Sequence, residues 1–170
     1  MKLWRWILAA ALAVTWDSRG LAAGDESCTA ESLLGFKDAT NSPVAVRLAL
    51  KSSSLAEGIA LRVEIENQGA EPYSLHVCPT MKLCCVSGLH PMLSYGDTGM
   101  GLCDVCASAK PAKNEVFLPS GATFAFNMRL PPERLPAEAA KAGKAINVFL
   151  CYELGEQRLV HSNVVKAELR

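Results

Sequence analysis

The sequence predicts an all-β protein built from two packed antiparallel sheets. Three observations point there. At least six segments alternate apolar and polar residues with period two, each bounded by Gly, Pro or Asn turn chemistry. Helical signals are minor, one short stretch over 132–142 and a single turn over 32–37. The 170 residues are 50% hydrophobic and 20% charged, a composition that suits one globular domain with a proper core.

The segments follow in chain order. Val44, Val46, Leu48 and Leu50 point to one side, and Ala45, Arg47 and Lys51 to the other. Leu61, Val63 and Ile65 alternate with Arg62, Glu64 and Glu66, and Asn67-Gln68-Gly69 then supplies a turn that tolerates positive φ. Tyr73, Leu75 and Val77 oppose Ser74, His76 and Cys78. Phe124, Phe126, Met128 and Leu130 oppose Thr123, Ala125, Asn127 and Arg129. Ile146, Val148, Leu150 and Tyr152 oppose Asn147, Phe149, Cys151 and Glu153. A last strand is expected within 159–169, with an irregularity near Ser162-Asn163. Pro132 to Ala142 is rich in Ala and predicts one short helix, limited by Pro136.

Pro43-Val44-Ala45-Val46, Val63-Glu64-Ile65-Glu66-Asn67-Gln68-Gly69, Leu118-Pro119-Ser120-Gly121 and the closing Ser162-Asn163-Val164-Val165 together resemble the immunoglobulin-like β-sandwiches of exported bacterial proteins. The resemblance covers 43–170 at the level of fold and carries over no functional residue. It implies that the strands carrying Cys78 and Cys151 are neighbours in one sheet. Alternation would then put both on its outer face beside His76, with Phe149 as an apolar floor beneath a cysteine-rich insertion.

The chain start reads as an address. Lys2 and Arg5 precede an apolar run from Trp6 to Trp16, and Leu21-Ala22-Ala23 offers small residues for cleavage, so 1–23 is expected to be a signal peptide. The run is too short to span a bilayer, which needs about 20 residues. Residues 24–42 form a lead-in to the sandwich domain. Lys and Arg number 17, as do Asp and Glu; removing Lys2, Arg5, Arg19 and Asp17 leaves two more acids than bases. No basic surplus is left for a phosphate backbone, so nucleic acid is not an expected partner. The expected setting is periplasmic or extracellular, with no stable membrane insertion after cleavage.

The stretch 78–114 breaks the strand rhythm and holds five of the seven cysteines. In an oxidising compartment the first expectation is disulfide stapling among Cys78, Cys84, Cys85, Cys103, Cys106 and Cys151, with Cys28 as the odd thiol. The alternative is a copper or zinc site. His76, Cys78, Cys84, Cys85, His90, Met92, Cys103 and Cys106 offer soft sulfur and imidazole donors at short spacings. A third reading makes Cys103-Asp104-Val105-Cys106 a thiol–disulfide exchange pair, although no strand–helix context surrounds it.

Asp97-Thr98-Gly99 spells an aspartic-protease triplet but has no second copy, and a polar turn explains it better. His161 reads as a structural residue on a strand. No nucleophile elbow, P-loop or dinucleotide fingerprint occurs. The expected function is therefore a non-enzymatic binding or interaction module without a cofactor, whose partner is a protein. Met81, Leu89, Met92, Leu93 and Tyr95 would be its adaptable apolar contact groups.

Overall fold

The alternating segments become strands in a computed structural model that describes residues 36–77, 86–96, 98–102, 114–135, 137–138, 144–155 and 157–170. In chain order these are β1 (Lys37–Asp38), β2 (Val44–Ser54), β3 (Gly58–Asn67), β4 (Tyr73–Val77), β5 (Leu89–Tyr95) and β6 (Thr98–Gly101). There follow β7 (Asn114–Leu118), β8 (Thr123–Leu130), β9 (Ala145–Leu154), β10 (Arg158–His161) and β11 (Val165–Glu168). One sheet has the order β1-β10-β9-β5-β6, with β11 also on β9. A second is β2-β3-β8, and β4 and β7 form a separate ladder. The fold class is all-β, as the period-two pattern requires.

Alternation decides which side of each strand meets the core. Ile59, Leu61, Val63 and Ile65 of β3 are fully buried, as are Ile146, Val148 and Leu150 of β9 and Leu75 of β4. They join Met128, Leu130, Leu89 and Leu93 in one cluster that welds the sheets together. Each such side chain contributes roughly 1.5–3 kcal/mol of burial. The intervening Arg62, Glu64, Asn127 and Arg129 stay at the surface, where Arg62 Nε donates to Glu64 Oε1 at 2.9 Å.

Two positions fix the hairpins. Gly58, at φ +78, closes β2 onto β3, and a Cβ there would lie 2.0 Å from the Leu130 carbonyl oxygen. Asn67 ends β3 as a completely buried polar residue. Its Nδ2 donates to the Glu71 and Leu118 carbonyls at 2.8 and 2.9 Å, and its Oδ1 accepts from Gly69 N–H at 2.9 Å. The turn expected at 67–69 is thus a knot that joins β3 to the end of β7.

The last alternating run is two strands, and the irregularity lies where expected. β10 pairs Cys151 with His161, whereas β11 pairs Val148 with Val165, a register shift of one. Across the shift, Ser162 Oγ accepts from Leu150 N–H at 2.9 Å. Asn163 takes both backbone groups of Leu48, its Oδ1 accepting at 2.8 Å and its Nδ2 donating at 2.9 Å.

Three expectations need correction. First, within the helix expected over 132–142 the described residues begin with a 3-10 turn, Pro132–Arg134, followed by an extended Leu135, while 136 and 139–142 lie outside the described residues. A residue before proline is pushed out of the helical region, and Pro136 follows Leu135. Second, 78–114 is not a free insertion. Its middle supplies β5 and β6, and β5 pairs with β9 from Leu89↔Tyr152 to Ser94↔Asn147. Third, β4, which leads to Cys78, pairs with β7 and not with the strand that carries Cys151. β5 is the strand that lies beside β9 there. The lead-in at 24–42 also contributes, since β1 pairs in parallel with β10 through Lys37↔Arg158 and Asp38↔Leu159.

Candidate functional site

The chemistry gathers on the outer face of β5, β9 and β10. Register places His90 of β5 opposite Cys151 of β9, and Cys151 opposite His161 of β10. One step along the same face, Met92 stands opposite Phe149, and at the other end Glu153 stands opposite Leu159. Ser162 N–H donates to the Leu150 carbonyl at 2.9 Å, so Leu150 and Ser162 are a hydrogen-bonded pair. Cys151 and His161 are then the adjacent non-hydrogen-bonded pair, the type whose side chains approach more closely.

The contacts follow that register. Cys151 Sγ lies 3.3 Å from His161 Nδ1, and His161 Nε2 lies 2.8 Å from Asp38 Oδ1. β1 holds Asp38 in place, with Lys37 N–H donating to the Gln157 carbonyl at 2.9 Å and Ala39 N–H to that of Leu159 at 2.8 Å. In the tautomer with its proton on Nε2, His161 donates to Asp38 and accepts a hydrogen bond from the thiol at Nδ1. The Phe149 ring lies 6.3 Å from the His161 ring. On the other side, His90 Nε2 is sealed from solvent without a hydrogen-bond partner among the described residues, 3.6 Å from Glu153 Oε2.

Cys151 is only 3% exposed although it sits on the outer face of its sheet. Burial, helped by the Asp38 charge, pushes its thiol up to about 12. A thiol, imidazole and carboxylate in line is the arrangement of an activated nucleophile. At pH 7, however, a group titrating near 12 is ionised to about one part in 10⁵. The thiol is both shielded and protonated, which is the opposite of what a reactive cysteine needs.

The other expected residues scatter. Leu89 and Leu93 are core residues, 4% and 1% exposed, so they belong to no contact surface. Pairing with β9 turns their side of β5 inward. Met92 is half-buried on the outer face. Tyr95 packs partly on the core with Lys144 Nζ 4.9 Å above its ring, which raises the Lys144 pKa mainly through a hydrogen bond to Tyr95. His76 is exposed on β4, away from His90, and pairs in register with Glu115 of β7. Cys151, expected in a disulfide, is a free thiol. Cys28, Cys78, Met81, Cys84, Cys85, Cys103 and Cys106 lie outside the described residues, as does the signal segment. Among the described residues no three His, Cys, Asp or Glu side chains are already gathered to hold a metal, and no helix is long and apolar enough to cross a membrane.

Sequence reasoning missed the roles of Asp38 and His161. A signal for His161 existed. Pairing Leu154 with Arg158 around a three-residue turn carries the ladder back to Cys151 opposite His161. Asp38 offered none, because it comes from a two-residue strand distant in sequence.

Neither a known protein family nor a curated protein matches the chain. Among solved structures, a red sea bream transglutaminase is similar over 76% of this chain and 17% of its own, at 11% identity and a TM-score of 0.44. A Listeria innocua β-glucosidase D270A mutant in complex with laminaribiose is similar over 76% and 16%, at 14% identity and 0.42. The sporulation control protein Spo0M of Bacillus subtilis is similar over 76% and 50%, at 11% identity and 0.41. The chain thus spans half or less of each of these proteins, and scores at this level carry no argument about function.

Proposed function

We propose that this protein is an exported, disulfide-stapled, non-enzymatic binding module on an immunoglobulin-like sandwich, with its cysteine-bearing connections as the contact region. One observation carries the reading. Val77, at the end of β4, forms an antiparallel bridge with Val86 on one side and pairs with Asn114 of β7 on the other. Residues 78–85 leave from Val77 and return to Val86, and 103–113 return to Asn114. Both cysteine-bearing connections therefore adjoin residues that pair with the last residue of β4. Connections held on a sheet are where binding residues concentrate.

Cross-linking within that cluster belongs to the same reading. Seven cysteines leave one unpaired. Because Cys151 is a free thiol against His161, the odd cysteine in this reading is Cys151, and Cys28 joins the paired set. Peptide mapping without reduction is expected to find Cys28, Cys78, Cys84, Cys85, Cys103 and Cys106 in disulfides.

The contact role is tested by placing a photo-crosslinking residue at Met81 in the exported protein, with Lys51 on the β2 surface as control. A specific protein adduct from position 81 and none from 51 is the expected result. Equal labelling from both, or none from 81, contradicts the reading.

A further inference from the structure

We infer that the outer edge of β8 is an interface between two copies of this chain, which pair β8 to β8 antiparallel about a two-fold axis. This surface is distinct from the cysteine-bearing connections, so the inference goes beyond the proposed binding role.

Backbone parity decides which groups of β8 are free to pair. Asn67 N–H donates to the Ala122 carbonyl at 2.9 Å, and the Leu130 carbonyl points at β3, where it would collide with a Cβ on Gly58. Phe124, Phe126, Met128 and Leu130 therefore direct their backbone groups to β3, in a ladder that runs from Glu66↔Thr123 to Ile59↔Leu130 without a shift. The N–H and C=O groups of Thr123, Ala125, Asn127 and Arg129 point the other way. All four residues are exposed, and β8 pairs with no second strand among the described residues. The far edge of the same sheet is covered, since Asn163 takes both backbone groups of Leu48 and Leu55 N–H donates to the Arg170 carbonyl at 3.2 Å. β8 lacks the usual guards of an open edge, for it holds no Pro, no Lys and no bulge. The core is also unfinished there. Phe124 and Phe126, ring centroids 5.9 Å apart, are only half-buried, whereas Met128 and Leu130 on the same face are buried.

The sequence of β8 itself selects the occupant. A second β8 centred on Phe126 sets Thr123 against Arg129 of the second copy and Ala125 against its Asn127, and the reverse, so every outward backbone group finds a partner. On the core side Phe126 then meets Phe126 and Phe124 meets Met128, apolar against apolar. Arg129 is the one charge on the strand. This register places it opposite a hydroxyl and keeps the two Arg129 side chains at opposite ends of the ladder. A slide of two residues towards Pro131 would set Thr123 against Pro131, which has no N–H to give.

The test is sedimentation velocity of the mature oxidised protein across about a hundredfold range of concentration. Mass under denaturing, non-reducing conditions shows whether any dimer is covalent. Ala125→Pro, Thr123→Arg and the swap Thr123→Arg/Arg129→Thr are compared, each checked for a cooperative thermal transition. The wild type is expected to be a non-covalent dimer. Ala125→Pro removes an outward N–H and leaves the β3–β8 ladder whole, so it should be a monomer. Thr123→Arg sets arginine against arginine at both ends and should raise the dimer dissociation constant roughly fivefold or more. The swap restores arginine opposite threonine and should recover most of that loss, which a purely structural effect of the two substitutions would not do. If Ala125→Pro fails to fold, Thr123→Arg and the swap decide. A monomeric wild type, including one that takes up an extended segment of another protein, overturns the inference. So does a dimer held by a disulfide, one that persists in folded Ala125→Pro, or one that Thr123→Arg leaves unchanged.

Discussion

Cys151 and His161 face each other across the β9–β10 ladder with Sγ 3.3 Å from Nδ1, and Asp38 closes the line 2.8 Å beyond Nε2. The thiol is buried, protonated and satisfied. In the folded protein at pH 8 it should therefore react with iodoacetamide at least about 100-fold more slowly than an exposed thiol. Denaturant should abolish that protection. Rapid native labelling of Cys151, read by peptide mass, would mean that the outer face of β9 is open.

The same burial gives a pH dependence. The Cys151 thiol is raised from 9.0 to about 12 on folding. The folded chain keeps a proton that the unfolded chain releases, so this contribution is fully present below pH 9. It is lost as pH rises towards 12, at no more than about 1.4 kcal/mol per pH unit. Tyr152 is also raised, chiefly by burial and then by its hydrogen bond to Tyr73, and it adds the same sign above pH 10. Urea midpoints of metal-free protein at pH 8.5, 9.5 and 10.5 should fall more steeply for the wild type than for Cys151→Ala. Parallel curves would contradict the burial argument.

Asn67 ties β3 to β7 with no exposure to solvent. Asn67→Ala removes three hydrogen bonds and leaves the Leu118 carbonyl without its amide donor. The expected loss is about 2–4 kcal/mol in equilibrium unfolding, with the denaturant slope unchanged. A loss below about 1 kcal/mol would show that water replaces the amide.

Gly58 has both a left-handed backbone and a carbonyl where its Cβ would be, 2.0 Å away. Gly58→Ala should cost at least about 2 kcal/mol, through strain and through displacement of β8 from β3. Gly121, also at positive φ but with nothing near its Cβ position, should cost less when changed to Ala. The ratio of the two effects separates collision from backbone strain.

Much of this architecture is legible from alternation alone. The faces of β3, β8 and β9 follow from Leu61, Met128 and Val148, because a half-buried strand must segregate its side chains. The shift at Ser162-Asn163 also shows, as a break in period. The β5–β6 hairpin does not, because Pro91 interrupts the pattern and the cysteines draw the eye. Leu89 and Leu93 then look like exposed loop residues when they are core. The helix expected from Pro132 stops early for a local reason, since Leu135 precedes Pro136 and is held extended. The candidate site is legible only in pieces. Cys151 and His90 stand out by chemistry, whereas His161 needs the hairpin register and Asp38 needs a tertiary contact across 123 residues.

The central claim is that the cysteine-bearing connections are cross-linked as one cluster and that Cys151 is the single thiol left out. It is tested most directly by the intact mass and peptide map of the exported protein, alkylated before and after denaturation without reductant. The account predicts no adduct on the native protein, one adduct after denaturation, and that adduct on Cys151. Alkylation at Cys28 with Cys151 in a disulfide, or several free thiols in the native protein, would contradict it.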